Sequence, residues 1–178
     1  GFLGGMSAID SVSPDATATF VNDCADWFNP LANPIEVYSA AAANGKDCFD
    51  GETVKAGTDV MVIKRTAGKQ TATADIAANK LYFTTPGQGG KLFKSVSATL
   101  PTAYATGQQQ WEYFVEIYYI KDDNSTGDTV PGLFRKRLVV SSGNIAVTDD
   151  GLLVSGIRMF GLLYGTDSAT SDDGIADQ

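Results

Sequence analysis

The sequence predicts an α+β, mainly β domain: an antiparallel sheet behind an irregular N-terminal region. Three observations predict it. From residue 58 onward, apolar and polar residues alternate with period two, the pattern of half-buried strands. The segments between these runs are short and rich in Gly, Asn and Asp, which favours antiparallel neighbours. Before residue 58, Pro14, Pro30 and Pro34 interrupt regular structure, and both cysteines of the chain lie there. The expected organisation is one globular domain in three stretches: an irregular region over 1–57, a sheet core over 58–164 and an acidic tail over 165–178.

In the first stretch, Ala40 to Ala43 followed by Asn44 and Gly45 predicts one helical turn ended by the glycine. The apolar Trp27 and Phe28 predict a lid packed onto the core. Cys24 and Cys48 are too far apart in sequence for a CxxC redox motif, and two readings compete: a disulfide made in an oxidising compartment, or two unrelated free thiols. The even count in acidic, loop-rich sequence favours the disulfide. It would close a loop of about 25 residues and contribute on the order of 3 kcal/mol.

In the second stretch, residues 58–66 (TDVMVIKRT) predict a strand with Val60, Val62 and Lys64 on one face and Met61, Ile63 and Arg65 on the other. Gly68 and Lys69 predict a turn, with the chain returning over 72–84. Residues 86–90 (PGQGG) predict a loop, and residues 91–100 another strand. Residues 111–121 (WEYFVEIYYIK) form the strongest strand pattern. Trp111, Tyr113, Val115, Ile117 and Tyr119 share an apolar face, and the opposite face is half polar. A loop over 122–128 leads to an antiparallel return over 133–140 (LFRKRLVV). There Arg135 and Arg137 are expected to pair with Glu112 and Glu116, at about 0.2–1 kcal/mol each. A short strand over 144–147, a turn at Asp149-Asp150-Gly151 and a last strand over 152–164 complete the core.

The chemistry available is narrow. The chain has no histidine, which removes Ser-His-Asp and Cys-His catalysis and nearly all zinc and haem sites. A net charge of −8 argues against nucleic acid as a partner. Glu112 and Glu116, at a spacing of four on one strand, stand roughly 13 Å apart, too far for glycoside hydrolysis. The Gly-rich stretch at 87–90 lacks the order of a phosphate loop. The expectation is a non-enzymatic protein. The acidic tail places Asp167, Asp172, Asp173 and Asp177 near Gly174, hard oxygen ligands that suit Ca2+. The ligand positions before Gly174 hold Ala169, Ser171 and Asp173, so the tail is a weak calcium candidate and a solvated tail is favoured.

Several segments, taken in order, resemble PilW-type minor pilins of the type IV pilus system. Residues 56–65 (AGTDVMVIKR) resemble that family's "GSDVLVVRR" strand, and residues 113–120 (YFVEIYYI) its "YFVRTYYI" strand. Residues 130–138 (VPGLFRKRL) are similar to "VPALYRRRL", and residues 153–167 (LVSGIRMFGLLYGTD) to "LVEGVEDMQVLYGVD". Residues 173–177 (DGIAD) match the end of an acidic run, and Gly1-Phe2-Leu3-Gly4-Gly5 resembles the exit from an N-terminal helix. The matched order covers about two thirds of the chain.

The resemblance implies a pilin-like antiparallel head, severed from an N-terminal membrane helix that a prepilin peptidase processes. It implies an anchor in the inner membrane facing the periplasm, and later a place in the pilus at the cell surface. The partners implied are other minor pilins and pilus assembly proteins. The family continues past the acidic run, so further C-terminal sequence is expected. The alternatives are a pseudopilin of a type II secretion system, and a surface module binding calcium or, on Trp111, Tyr113 and Tyr119, a sugar. For those aromatics, packing within the sheet is the favoured role.

Overall fold

The computed structural model describes residues 11–14, 24, 27, 34–49, 51–85, 89–95, 109–123 and 129–163. Eight strands form one sheet: β1 (Ser11–Pro14), β2 (Ile35–Ser39), β3 (Asp59–Thr66), β4 (Lys80–Thr84), β5 (Gly89–Ser95), β6 (Gln110–Asp123), β7 (Val130–Ser141) and β8 (Asn144–Ser155). Every strand pair is antiparallel except β1 with β5. The fold is thus mainly antiparallel β, as the alternation predicts.

The long strand β6 organises the sheet. One edge carries β3, with Met61 opposite Tyr118 and Thr66 opposite Tyr113. The other edge is shared. β7 pairs with it from Asp123 to Glu116, and β4 pairs with it from Glu112 to Gln110. Past Arg137, β7 leaves β6 and continues with β8 alone, so the sheet forks into a β4–β5–β1 branch and a β7–β8 branch. The Lys94 ammonium on β5 donates to the Gly143 carbonyl at the β7–β8 turn and ties the branches together. That turn is the two-residue pair Ser142-Gly143, both at positive φ (49° and 74°), the twist a tight hairpin prefers.

Alternation sorts the faces as the sequence predicts. Val60, Val62, Tyr113, Val115, Ile117, Tyr119 and Phe134 point into one core, and Trp111 packs partly buried against it. Met61, Ile63, Arg65, Phe114, Glu116 and Tyr118 lie on the half-exposed face. The core is closed from above by α1 (Ala40–Ala43), a 3-10 turn (Asp47–Phe49), Trp27 and Val54.

The fold corrects several sequence expectations. The first stretch is less irregular than its prolines suggest, because β1 and β2 belong to the sheet. Isolated short strands leave little period-two signal; their pairing with β5 and β3 defines them. The helical turn starts on a Ser39 cap, whose hydroxyl accepts from the Ala42 N–H at 3.3 Å, and it ends on Asn44 rather than on Gly45. The return over 72–84 does not fold back onto β3. A 3-10 turn (Thr73–Asp75) redirects it, and β4 pairs with β5 and β6. Gly89 and Gly90 begin β5 instead of closing a loop.

Asp149, Asp150 and Gly151 do not form a turn; they are an irregularity inside the continuous strand β8. The predicted last strand stops at Ser155. Gly156 turns the chain at φ 85°, and residues 157–163 cross to the start of β3. There the Asp59 N–H donates to the Phe160 carbonyl at 2.8 Å, and the Leu162 N–H to the Asp59 carboxylate at 2.9 Å. A strand is thus replaced by a strap.

Candidate functional site: a stapled lid, an ionic cluster and an exposed strand end

Cys24 and Cys48 form the disulfide, with their α-carbons 6.2 Å apart. Both are buried. The bridge seats Trp27 against Tyr38 in a stack with ring centroids 4.3 Å apart, and against the Phe49 edge at 6.0 Å. Trp27 is only 2% exposed, so the lid predicted from its apolar neighbourhood is present.

Below the lid lie two inward-facing lysines. Lys64 on β3 has a fully buried side chain, and its Nζ is 3.0 Å from Glu36 on β2. Burial lowers its pKa below the ordinary lysine value, against the opposing pull of Glu36. The Tyr38 hydroxyl donates to the same carboxylate at 2.7 Å.

Lys136 on β7 is 7% exposed. Its Nζ stands 3.2 Å from Glu52, on the loop that crosses the sheet from the 3-10 turn to β3. Glu52 also accepts the Tyr119 hydroxyl at 2.6 Å and lies 3.2 Å from Lys121. Lys121 reaches Asp149 on β8, also at 3.2 Å, and sits 4.3 Å over the Phe134 ring. Burial pushes the Tyr119 phenol far above its usual range, and its bond to Glu52 adds to this. Burial also raises the Asp149 carboxyl, but the Gly151 N–H, Glu52 and Lys121 outweigh it and hold the group below the ordinary carboxylate range. An open pocket of about 700 Å³ lies beside this cluster, walled by Glu52, Val54, Lys55, Lys121 and Asp122.

On the opposite face, Arg135 lies 3.5 Å from Glu116, as predicted across the strands. Arg137 does not meet Glu112. It pairs instead with Asp150, which Arg135 also contacts at 2.8 Å. The bulge on β8 turns Asp150 toward both guanidiniums, and Arg137 is the last β7 residue paired with β6, opposite Glu116, four residues along the strand from Glu112. Glu112 pairs with Lys80 at 2.8 Å. Both glutamates are thus in ion pairs, and Tyr113 and Tyr119 are buried in the core.

Asp167, Asp172, Asp173 and Asp177 lie outside the described residues. Among the described residues, no three His, Cys, Asp or Glu side chains gather as a metal site, and no helix is long and apolar enough to cross a membrane.

β8 is an edge strand: β7 lies on one side and, among the described residues, no strand lies on the other. Its end exposes Leu152, Leu153 and Val154, and the strap that follows exposes Met159 and Leu163. Sequence reasoning passed over Glu52, Lys121, Lys136 and Asp149. One signal was present: Lys64 follows Val60 and Val62 on the inward face of β3, and Lys136 lies between Phe134 and Leu138 on that of β7. A cation there demands a buried partner.

Compared with known proteins, the chain matches no family model, no curated protein and no solved structure.

Proposed function

We propose that this chain is the head of a PilW-type minor pilin, a non-enzymatic subunit that helps start type IV pilus assembly by docking to other minor pilins. The observation that carries the reading is where the matched segments fall. Residues 59–65, 113–120 and 130–138 lie on β3, β6 and β7, and the segment over 153–167 begins on the last three residues of β8 before leaving it for the strap; these four strands are consecutive neighbours in one sheet. That these segments share one continuous half of the sheet supports the reading. The buried disulfide supports an oxidising compartment such as the periplasm. The exposed Leu152, Leu153 and Val154 on an edge strand support docking over catalysis, because apolar edges are ready surfaces for another chain.

Deleting the gene and counting surface pili tests the reading. Loss or strong reduction of pili, restored by the full-length gene, is the expected result. Normal piliation with normal twitching and DNA uptake would end it. Normal pili with lost protein secretion would point to the type II secretion pseudopilin instead.

A further inference from the structure

A single side chain fastens the lid to the loop beside it. Asn44, at the end of α1, donates from its amide Nδ2 to the Val54 carbonyl at 3.1 Å, and its side-chain oxygen accepts the Val54 N–H at 2.7 Å. The two bonds copy one rung of an antiparallel ladder. They tie α1 to the loop over 51–57, which carries Glu52 into the ionic cluster, buries Val54 in the core and bonds to β6 from the Lys55 N–H to the Ile120 carbonyl at 2.8 Å. Asn44 is also the one asparagine of the chain that precedes a glycine. A glycine has no side chain to shield its backbone nitrogen, and a Cβ added at Gly45 would meet nothing within 4 Å. Both residues are exposed. An asparagine amide beside an unshielded nitrogen is prone to cyclise and lose ammonia. The native fold holds that reaction back. The helical ψ of −13° turns the Gly45 nitrogen away from the Asn44 side chain, and Val54 engages both polar atoms of the amide. A near-attack geometry requires the backbone to leave the helical region and both bonds to break.

We propose that Asn44 is a deamidation site gated by its clamp on Val54, so that an opening of the loop over 51–57 is converted into a permanent release. Once the clamp opens, the Gly45 nitrogen attacks Asn44 Cγ and an N–C bond forms. The proton of that nitrogen passes through water to the side-chain nitrogen. The Cγ–Nδ2 bond breaks, and ammonia leaves a five-membered imide. Water then adds to one of the two imide carbonyls and opens the ring. Cleavage at Cγ leaves an aspartate at this position. Cleavage at the main-chain carbonyl leaves an isoaspartate, whose backbone runs through the former side chain. Nothing is oxidised or reduced, and water is the only co-reactant. Neither product restores both bonds. An acceptor oxygen replaces the amide donor and faces the Val54 carbonyl, another acceptor, and the isoaspartate also lengthens the chain at the end of α1.

Peptide mapping by mass spectrometry of the purified, disulfide-bonded chain, incubated at mildly alkaline pH, tests this. In the urea-unfolded chain Asn44 is expected to convert ahead of the other asparagines. In the native chain it is expected to convert more than about tenfold more slowly, because the reaction waits on local opening. Val54→Ala, folded by circular dichroism, loosens the loop and is expected to raise the native rate several-fold. Gly45→Ala is expected to suppress conversion in folded and unfolded chains alike. In Asn44→Asp, amide hydrogen exchange over 51–57 is expected to be several-fold faster than in the parent, with β6 and β7 unchanged. An unfolded chain that leaves Asn44 intact overturns the site. Equal rates in native and unfolded chains, or a native rate that Val54→Ala leaves unmoved, overturn the gate. Unchanged exchange in Asn44→Asp overturns the release.

Discussion

Asp150 shows how much a single side chain organises on the outer face. The irregularity that shifts β8 against Arg135 and Lys136 is made possible by Gly151, at φ 84°, a conformation that side chains other than glycine adopt only with strain. It delivers Asp150 to Arg135 and Arg137. The bond from Arg137 is the main reason the Asp150 carboxyl sits below its ordinary range, with Arg135 adding to it against the opposing effect of burial. A carboxyl depressed in the folded state stabilises the fold above its unfolded pKa of about 3.9 and loses that contribution as pH falls through the folded value. Urea midpoints taken from about pH 6 down to about pH 3 should therefore fall, and Asp150→Asn should flatten the fall. An unchanged acid slope in the variant would remove Asp150 from the account.

Gly132 is constrained for another reason. A Cβ there would overlap the Leu152 side chain and come within 3.1 Å of the Val154 carbonyl. Gly132→Val is expected to cost about 1–3 kcal/mol in chemical denaturation. Lys64→Met leaves the Glu36 carboxylate without its cation, and a loss of about 2–4 kcal/mol is expected by the same measurement. These residue-scale features were only partly legible. The alternation put Lys64 and Val62 on one face, but nothing local in the sequence said that Asp150, rather than Glu112, would receive Arg137.

At the scale of elements, β3, β6 and β7 were readable because each carries its own signal, apolar residues at spacing two, interrupted on the inward face of β3 by Lys64 and of β7 by Lys136. β1 and β2 were not, since strands of four and five residues are defined by their partners. The segment at 149–151 has the composition of a turn, yet it stays in register with β7 because the hairpin at Ser142-Gly143 has already fixed the pairing. The lid is the element whose energetics are simplest to test. Replacing Cys24 and Cys48 with serine together should cost about 3 kcal/mol. Trp27 fluorescence should report exposure of the lid before the sheet unfolds. A variant as stable as the parent, with unchanged fluorescence, would show that Trp27, Tyr38 and Phe49 hold the lid without the bridge.

At the scale of the molecule, the sequence conveyed a mainly antiparallel sheet with a stapled cap, but not its forked plan. The fork depends on β4 and β7 sharing one edge of β6, a long-range choice that leaves no periodic trace in either strand. The same limit applies to the proposed docking surface. Leu152, Leu153 and Val154 read as core by composition, and only the edge position of β8 makes them a surface. If the head works by contact with its neighbours, that strand end is where a neighbour should be caught. A photo-crosslinking amino acid placed at Leu153 of the full-length protein, in cells assembling pili, measures this directly. The account predicts a covalent adduct with another pilin subunit, absent when the probe is moved to the buried position Val62. Piliated cells that yield no pilin adduct from Leu153 would contradict it.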